Sequence, residues 1–479
     1  MTSEKFRREL RQEAEQWWQE GLIDSSLYAQ LAERYQLQSL EREASHQFIA
    51  ILMGLGGILM GLAAITFVAA NWQVWPRLVK LGLLLGLFVS MNAAGFYLWR
   101  RPASSSRTQR LGQGLLLLGA LLLGANLGLI SQMFHQSGNS HELFLVWGLG
   151  VVAMGFSLRL ASLGILAWIL LALGYMLAWV AQWGVGWGVG TGWTQPLLGL
   201  VVQHMPLVTA GLFVPLAYRC RSRVLFSLAG VGVTLSLALN LGQMLINGWV
   251  VVLAAVLPPL LLWSYSSRIW RNGIDPFQPL ARSLALWWLG LLFSGFAFRL
   301  WWQGSWSGTA AQVNWPTLVD AIVLLGVTGL GWLQILSGYR AEYRSGYGVQ
   351  PDWQPDWQPD CALHSGTIAV FGLTAALLLI WQAEAGPIGA LGTVGFNLML
   401  FLLAAGLIRD GLALGSRSVF WGGMVLLVLG IICRMLEYDT GLLLKSIVFG
   451  LCGLGVIGAG LWFERRPRLL SASSQEESL

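Results

Sequence analysis

Apolar runs of about 20 residues, separated by short polar breaks, recur from residue 47 to residue 463. As a helix, such a run rises about 30 Å, the thickness of a bilayer's hydrocarbon core. About fourteen spans can be drawn this way, at approximately 47–70, 78–99, 111–131, 142–158, 160–182, 203–218, 224–240, 247–265, 283–302, 317–337, 364–383, 387–408, 418–434 and 442–463. The sixth, bracketed by Pro206 and Pro215, is the one expected to re-enter or to be miscounted. The pattern predicts an all-α, polytopic membrane protein whose transmembrane domain covers residues 47–463.

Residues 1–46 follow a different rhythm. Phe6, Leu10, Ala14 and Trp17 fall three or four apart, Gly21 interrupts them, Asp24 or Ser25 can cap a second helix, and Leu27, Leu31 and Tyr35 continue the stripe. This predicts a short helical hairpin that needs a surface to pack on: the membrane domain, the bilayer or another copy. It is a candidate handle for a homo-oligomer or a membrane partner. Residues 464–479 form a basic and then polar tail.

Charge orients the spans. Every second connection carries arginine: Arg100, Arg101, Arg107 and Arg110, then Arg159, then Arg219, Arg221 and Arg223, then Arg268, Arg271 and Arg282, then Arg340 and Arg344, then Arg409 and Arg417, with Arg465, Arg466 and Arg468 at the end. The alternate connections hold Arg77 and otherwise no basic residue outside the helix ends. Short cytoplasmic loops retain Lys and Arg, so both termini are expected in the cytoplasm of a bacterial inner membrane.

Composition agrees: 56% of residues are hydrophobic and 11% charged, against roughly 25% charged in soluble domains. The net charge of +6 is what arginine-rich loops produce and gives no reason to invoke nucleic acid. Cys220, Cys361, Cys433 and Cys452 are scattered without metal-site or disulfide spacing. A repeat, PDWQPDWQPD at residues 351–360, excludes helix and reads as an expanded loop. Glycine pairs four apart, Gly57 with Gly61 and Gly82 with Gly86, read as close-packing surfaces.

Several motifs run in a familiar order. QEAEQWWQEGLIDSSLYAQLAERY, then FVAANW at residues 67–72, then ISQMFHQSGNSHELFLVW at residues 130–147 resemble the bacterial predicted membrane proteins of domain-of-unknown-function family 2157. The first 150 residues carry most of the resemblance, and the stretch from Asn397 through SRSVF and CRMLEYD to FERRPR is similar to the family's closing part. The resemblance implies a membrane protein of unassigned role and brings no activity with it.

The chain has no phosphate-cradling GxxxxGK[ST] loop, no HExxH and no nucleophile elbow, so no cofactor and no catalytic residue is assigned. Every Asp and Glu after residue 46 falls in a loop or at a helix end, which disfavours ion-coupled transport through a central carboxylate. The residues that break the charge rule are informative. Arg77, Arg299, Arg434 and Lys445, with Lys80, lie toward the outer side, near Asp320, Glu437 and His135 in depth. They are the candidates for an outward-facing polar cavity holding an anionic, lipid-linked or amphipathic substrate, with membrane lipids as partners. Local pairing, such as Arg434 with Glu437 or Asp439, is the alternative reading of the same charges. His135, His141 and Glu142 are weak candidates for a metal, their spacing matching no strong motif. A non-transporting scaffold or envelope-stress component, assembled through the hairpin, is the competing function, and a membrane-embedded transferase a third.

Overall fold

In the computed structural model of the chain, the described residues are 10, 13–14, 16–18, 20–24, 26–28, 30, 74–100, 106–133, 139–183, 196–242, 248–265, 277–304, 306, 315–344, 361–413, 415–437 and 441–476. The expected span at 47–70, the pair Gly57 and Gly61, His135 and the repeat at 351–360 lie outside them. The chain divides into two compact units, Met1–Gly86 and Leu87–Leu479.

In the first unit, the helix through Trp17 and Trp18 ends where expected. Gly21 takes φ +74, and the amides of Gly21 and Leu22 donate to the carbonyls of Trp18 and Trp17, closing the turn by the pattern that favours glycine. The Asp24 carbonyl accepts from the Tyr28 amide, starting the next turn, and Trp18 stacks on Tyr28 with ring centroids 5.4 Å apart.

From residue 77 onward, all regular structure among the described residues is helical: α1 (Arg77–Arg100), α2 (Ser106–Met133), α3 (Ser140–Leu158), α4 (Ala161–Trp183), α5 (Pro196–Gln203), α6 (Met205–Cys220), α7 (Arg223–Gly242), α8 (Gly248–Ser264), α9 (Gln278–Phe296), α10 (Trp315–Arg344), α11 (Cys361–Glu384), α12 (Ala390–Ala413), α13 (Arg417–Glu437) and α14 (Leu442–Glu476), with a single 3-10 turn at Arg299–Trp302. Among the described residues 11 helices are long and apolar enough to cross a membrane, and α5 with α6 can make one more span. The protein is a polytopic all-α membrane protein.

The expected sixth span is a broken one. α5 and α6 meet at an angle of 84° across His204. Pro206, in the first turn of α6, has no N–H to give the Val202 carbonyl, so a continuous helix loses a bond there. The Gln203 carbonyl, also lost to the ladder, accepts instead from Asn240 Nδ2 on α7 at 3.0 Å, and Tyr175 on α4 donates to Asn240 Oδ1 at 2.7 Å. Irregular backbone within a membrane persists where side chains re-satisfy it.

α8 is the centre of the later helices. Its 17 residues rise about 26 Å, and it packs on α7, α9, α10 and α11. It is apolar around its whole circumference, the composition of a helix enclosed by others. Two connections are very tight: Arg159 and Leu160 alone join α3 to α4, and Arg221 and Ser222 join α6 to α7. Both arginines adopt left-handed backbone, φ 52 and φ 49, where glycine is the usual residue. Gly82 and Gly86 are not close-packed against described atoms, since a Cβ on either would meet nothing within 4 Å; the tight glycine contacts lie elsewhere.

Candidate functional site

The charged candidates gather only in part, at one end of α9 and α13. Arg434, in the last turn of α13, is buried and pairs through Nη1 with Glu437 Oε2 one turn on. The other carboxylate oxygen of Glu437 accepts the backbone N–H of Arg299, at the start of the 3-10 turn. The Arg434 guanidinium lies 5.3 Å from the Phe298 ring centroid, a cation–π contact in a site sheltered from water. Its Nε and Nη2 meet no acceptor among the described residues, although both are buried. A buried guanidinium carries two strong donors there that the ion pair does not use.

The connection bearing Arg299 is held from several sides. Asn397 Nδ2 on α12 donates to the Ala297 carbonyl at 3.2 Å, Gln382 Nε2 on α11 to the Gly304 carbonyl at 2.8 Å, and the Gly389 amide to the Trp302 carbonyl at 3.2 Å. Trp302 is fully buried, donates through Nε1 to the Phe296 carbonyl and stacks on Phe396. Gly392 makes room for it: a Cβ at that position would lie 2.2 Å from the indole. The connection is therefore a fixed part of the site, built by amides from α11 and α12.

Beside it opens a groove of about 610 Å³ between α7, α8 and α9, lined by Leu235, Val251, Ala255, Leu291, Phe296, Trp301 and Trp306 among others. It is apolar, not the polar cavity expected from the arginines. Trp301 is half exposed, and Trp306 Nε1 donates to the Trp301 carbonyl at 3.0 Å, so both indoles stand at the groove's edge in a fixed arrangement. Phe298, which carries the Arg434 contact, lies in the same short connection as Phe296, Trp301 and Trp306.

The remaining candidates are dispersed. Arg77 is exposed at the first position of α1, in the first unit, and Lys445 is half-buried in the first turn of α14. His141 and Glu142 are buried neighbours in the first turn of α3; no group of three potential metal ligands occurs among the described residues. Asp320, in the second turn of α10, is a helix-end residue as expected, yet it is fully buried. It accepts from, or donates to, Nδ1 of His204 at 2.6 Å. Sequence reasoning missed His204, whose signal was its place two residues before Pro206 in the span already marked as irregular. It also missed the groove, because lipid-facing tryptophans and groove-lining ones look alike in a string of letters.

Comparison with known families reaches the N-terminal third. Residues 15–164 match the family described as Predicted membrane protein (DUF2157). The DUF2157 match runs from residue 15 into α4 and stops before the broken span, so His204, Asp320, Arg299 and Arg434 all lie beyond it. The stretch from Asn397 onward, expected from its motifs to resemble the family's closing part, lies outside the match. No curated protein and no solved structure matches the chain.

Proposed function

We propose that this membrane protein binds an amphipathic molecule with an anionic head, such as a lipid or lipid-linked group, at the end of α9 and α13. The observation that carries the reading is the buried Arg434, with Nε and Nη2 unused by any described acceptor, set next to an apolar groove rimmed by Trp301 and Trp306. The two halves suit the two halves of such a ligand. A hydrocarbon chain gains by lying in the groove, and a phosphate or carboxylate gains charge-assisted hydrogen bonds from the guanidinium in a low-dielectric site. Exposed Arg299 adds positive charge at the entrance. On the arginine pattern this end faces outward from a bacterial inner membrane, with both termini in the cytoplasm.

The experiment is native mass spectrometry of the full chain released from detergent with lipids retained. Wild-type protein is expected to carry an anionic amphiphile, and Arg434→Gln to lose it at least tenfold. Leu291→Trp, which fills the groove from its exposed side, is expected to lose it too while leaving the ion pair intact. Equal retention by both variants overturns the proposal.

A further inference from the structure

We propose that His204 and Asp320 form a proton-binding site at the break between α5 and α6. Nothing in the reading of the Arg434 end requires it, and it stands on separate residues. Four observations meet at this point. The carboxyl group of Asp320 is fully enclosed, the whole residue being 0% exposed. Its Oδ1 lies 2.6 Å from His204 Nδ1, a contact that needs one proton between the two atoms. Its Oδ2 meets no donor among the described residues. The histidine side chain, by contrast, is 31% exposed, so it carries the pair's contact with its surroundings.

Charge bookkeeping defines the ligand. With a single proton, the imidazole N–H donates to the carboxylate and the pair bears a net charge of about −1. One further proton, placed on Nε2 of the ring or on Oδ2 of the acid, brings the pair to neutrality. Each alternative has an atom ready for it: Nε2 on the partly exposed ring and Oδ2 in the enclosed pocket. Burying a net charge without compensation is costly, and among the described residues no Lys or Arg forms an ion pair with Asp320.

The elements packed on the pair are poor in charge. α3, which packs on α5, brings His141 and Glu142 in its first turn; α4 brings Tyr175, whose hydroxyl is committed to Asn240. α5 and α8 hold no titratable residue, and α7 holds only Arg223, at its opposite end. The others on α6 and α10 are Tyr218, Arg219 and Cys220, and Tyr339, Arg340, Glu342, Tyr343 and Arg344, all at the far ends of those helices.

Position gives the proton a mechanical consequence. His204 is the single non-helical residue of the break, φ −98 and ψ 26, and its side chain ties the break to α10. The next carbonyl back, Gln203, is tied to α7 through Asn240. Adding a proton converts a hydrogen bond to a carboxylate into an ion pair or into a neutral acid–imidazole contact, and so changes one of the two ties that hold the 84° angle.

The test uses the full chain with 15N-labelled histidine in phosphatidylcholine bilayers, followed by solid-state NMR over roughly pH 4–9. With five histidines in the sequence, the His204 signal is identified by its loss in His204→Gln. The expected result is a pH-dependent His204 signal whose profile Asp320→Asn displaces, while Asp320→Glu keeps it nearer the wild-type profile. A His204 profile unmoved by Asp320→Asn, or wild-type His204 15N shifts that stay constant across the pH range, overturns the proposal. Should Asp320→Asn fail to fold, Asp320→Glu decides: His204 titrating like the other histidines in both wild type and Asp320→Glu refutes the site.

Discussion

Arg434 shows how one residue can satisfy two readings of a sequence at once. Its pairing with Glu437 is the local ion pair that the charges suggested, and its remaining N–H groups are what the anion reading needs. Removing either partner leaves the other charged in a mostly buried place. Arg434→Gln and Glu437→Gln are each expected to lower thermal stability, and a double-mutant cycle to give a coupling of about 1–3 kcal/mol, measured by denaturation in detergent. Additive effects would mean the two groups do not act as a pair. Gly392→Ala tests the wall behind them. The new methyl has no room beside the Trp302 indole, and overpacking of this kind costs about 1–3 kcal/mol; a drop in Tm is expected, relieved in part by Trp302→Phe.

At the level of elements, the broken span depends on side chains outside it. Asn240→Leu removes the donor to the Gln203 carbonyl and the nearer acceptor of the Tyr175 hydroxyl, which keeps only the Ser236 carbonyl at 3.3 Å. A loss of about 1–3 kcal/mol is expected from the unsatisfied buried group, against about 0.5–1.5 kcal/mol for Tyr175→Phe, both read from thermal unfolding. That the chain is built of many membrane-length helices, and where most of them fall, was legible because burial in lipid demands long apolar runs, and the prolines at 206 and 215 marked α5 and α6 as irregular. The pairing of His204 with Asp320, 116 positions apart, was not legible. Helix periodicity says which face of a helix is apolar, but in a membrane both the lipid side and the packed side are apolar, so the sequence does not say which polar residues turn inward. Asp320 therefore read as a helix-end acid near the outer arginines, with no pointer to His204, and the groove residues Leu291 and Trp301 as lipid-facing ones. Arg434 and Glu437 were legible because they sit one helical turn apart.

For the whole molecule, the arginine pattern predicts a sidedness that chemistry can check. A cysteine at Ser137 is expected to react with an impermeant maleimide on intact cells, and native Cys361 only after permeabilisation; the opposite result would invert the topology. The two tightest hairpins in the described chain, α3–α4 and α6–α7, bear on the same question. Each turns on an arginine in backbone that suits glycine, at a cost of about 1 kcal/mol relative to an unstrained residue. Arg159 is exposed. Arg159→Gly combined with Arg221→Gly is expected to raise the midpoint of unfolding and yet to increase the fraction of chains whose Ser137→Cys label is inaccessible. The strain would then be a relic of biogenesis: a positive charge consulted once, while each hairpin was entering the bilayer, and carried afterwards as a small permanent tension in the folded protein.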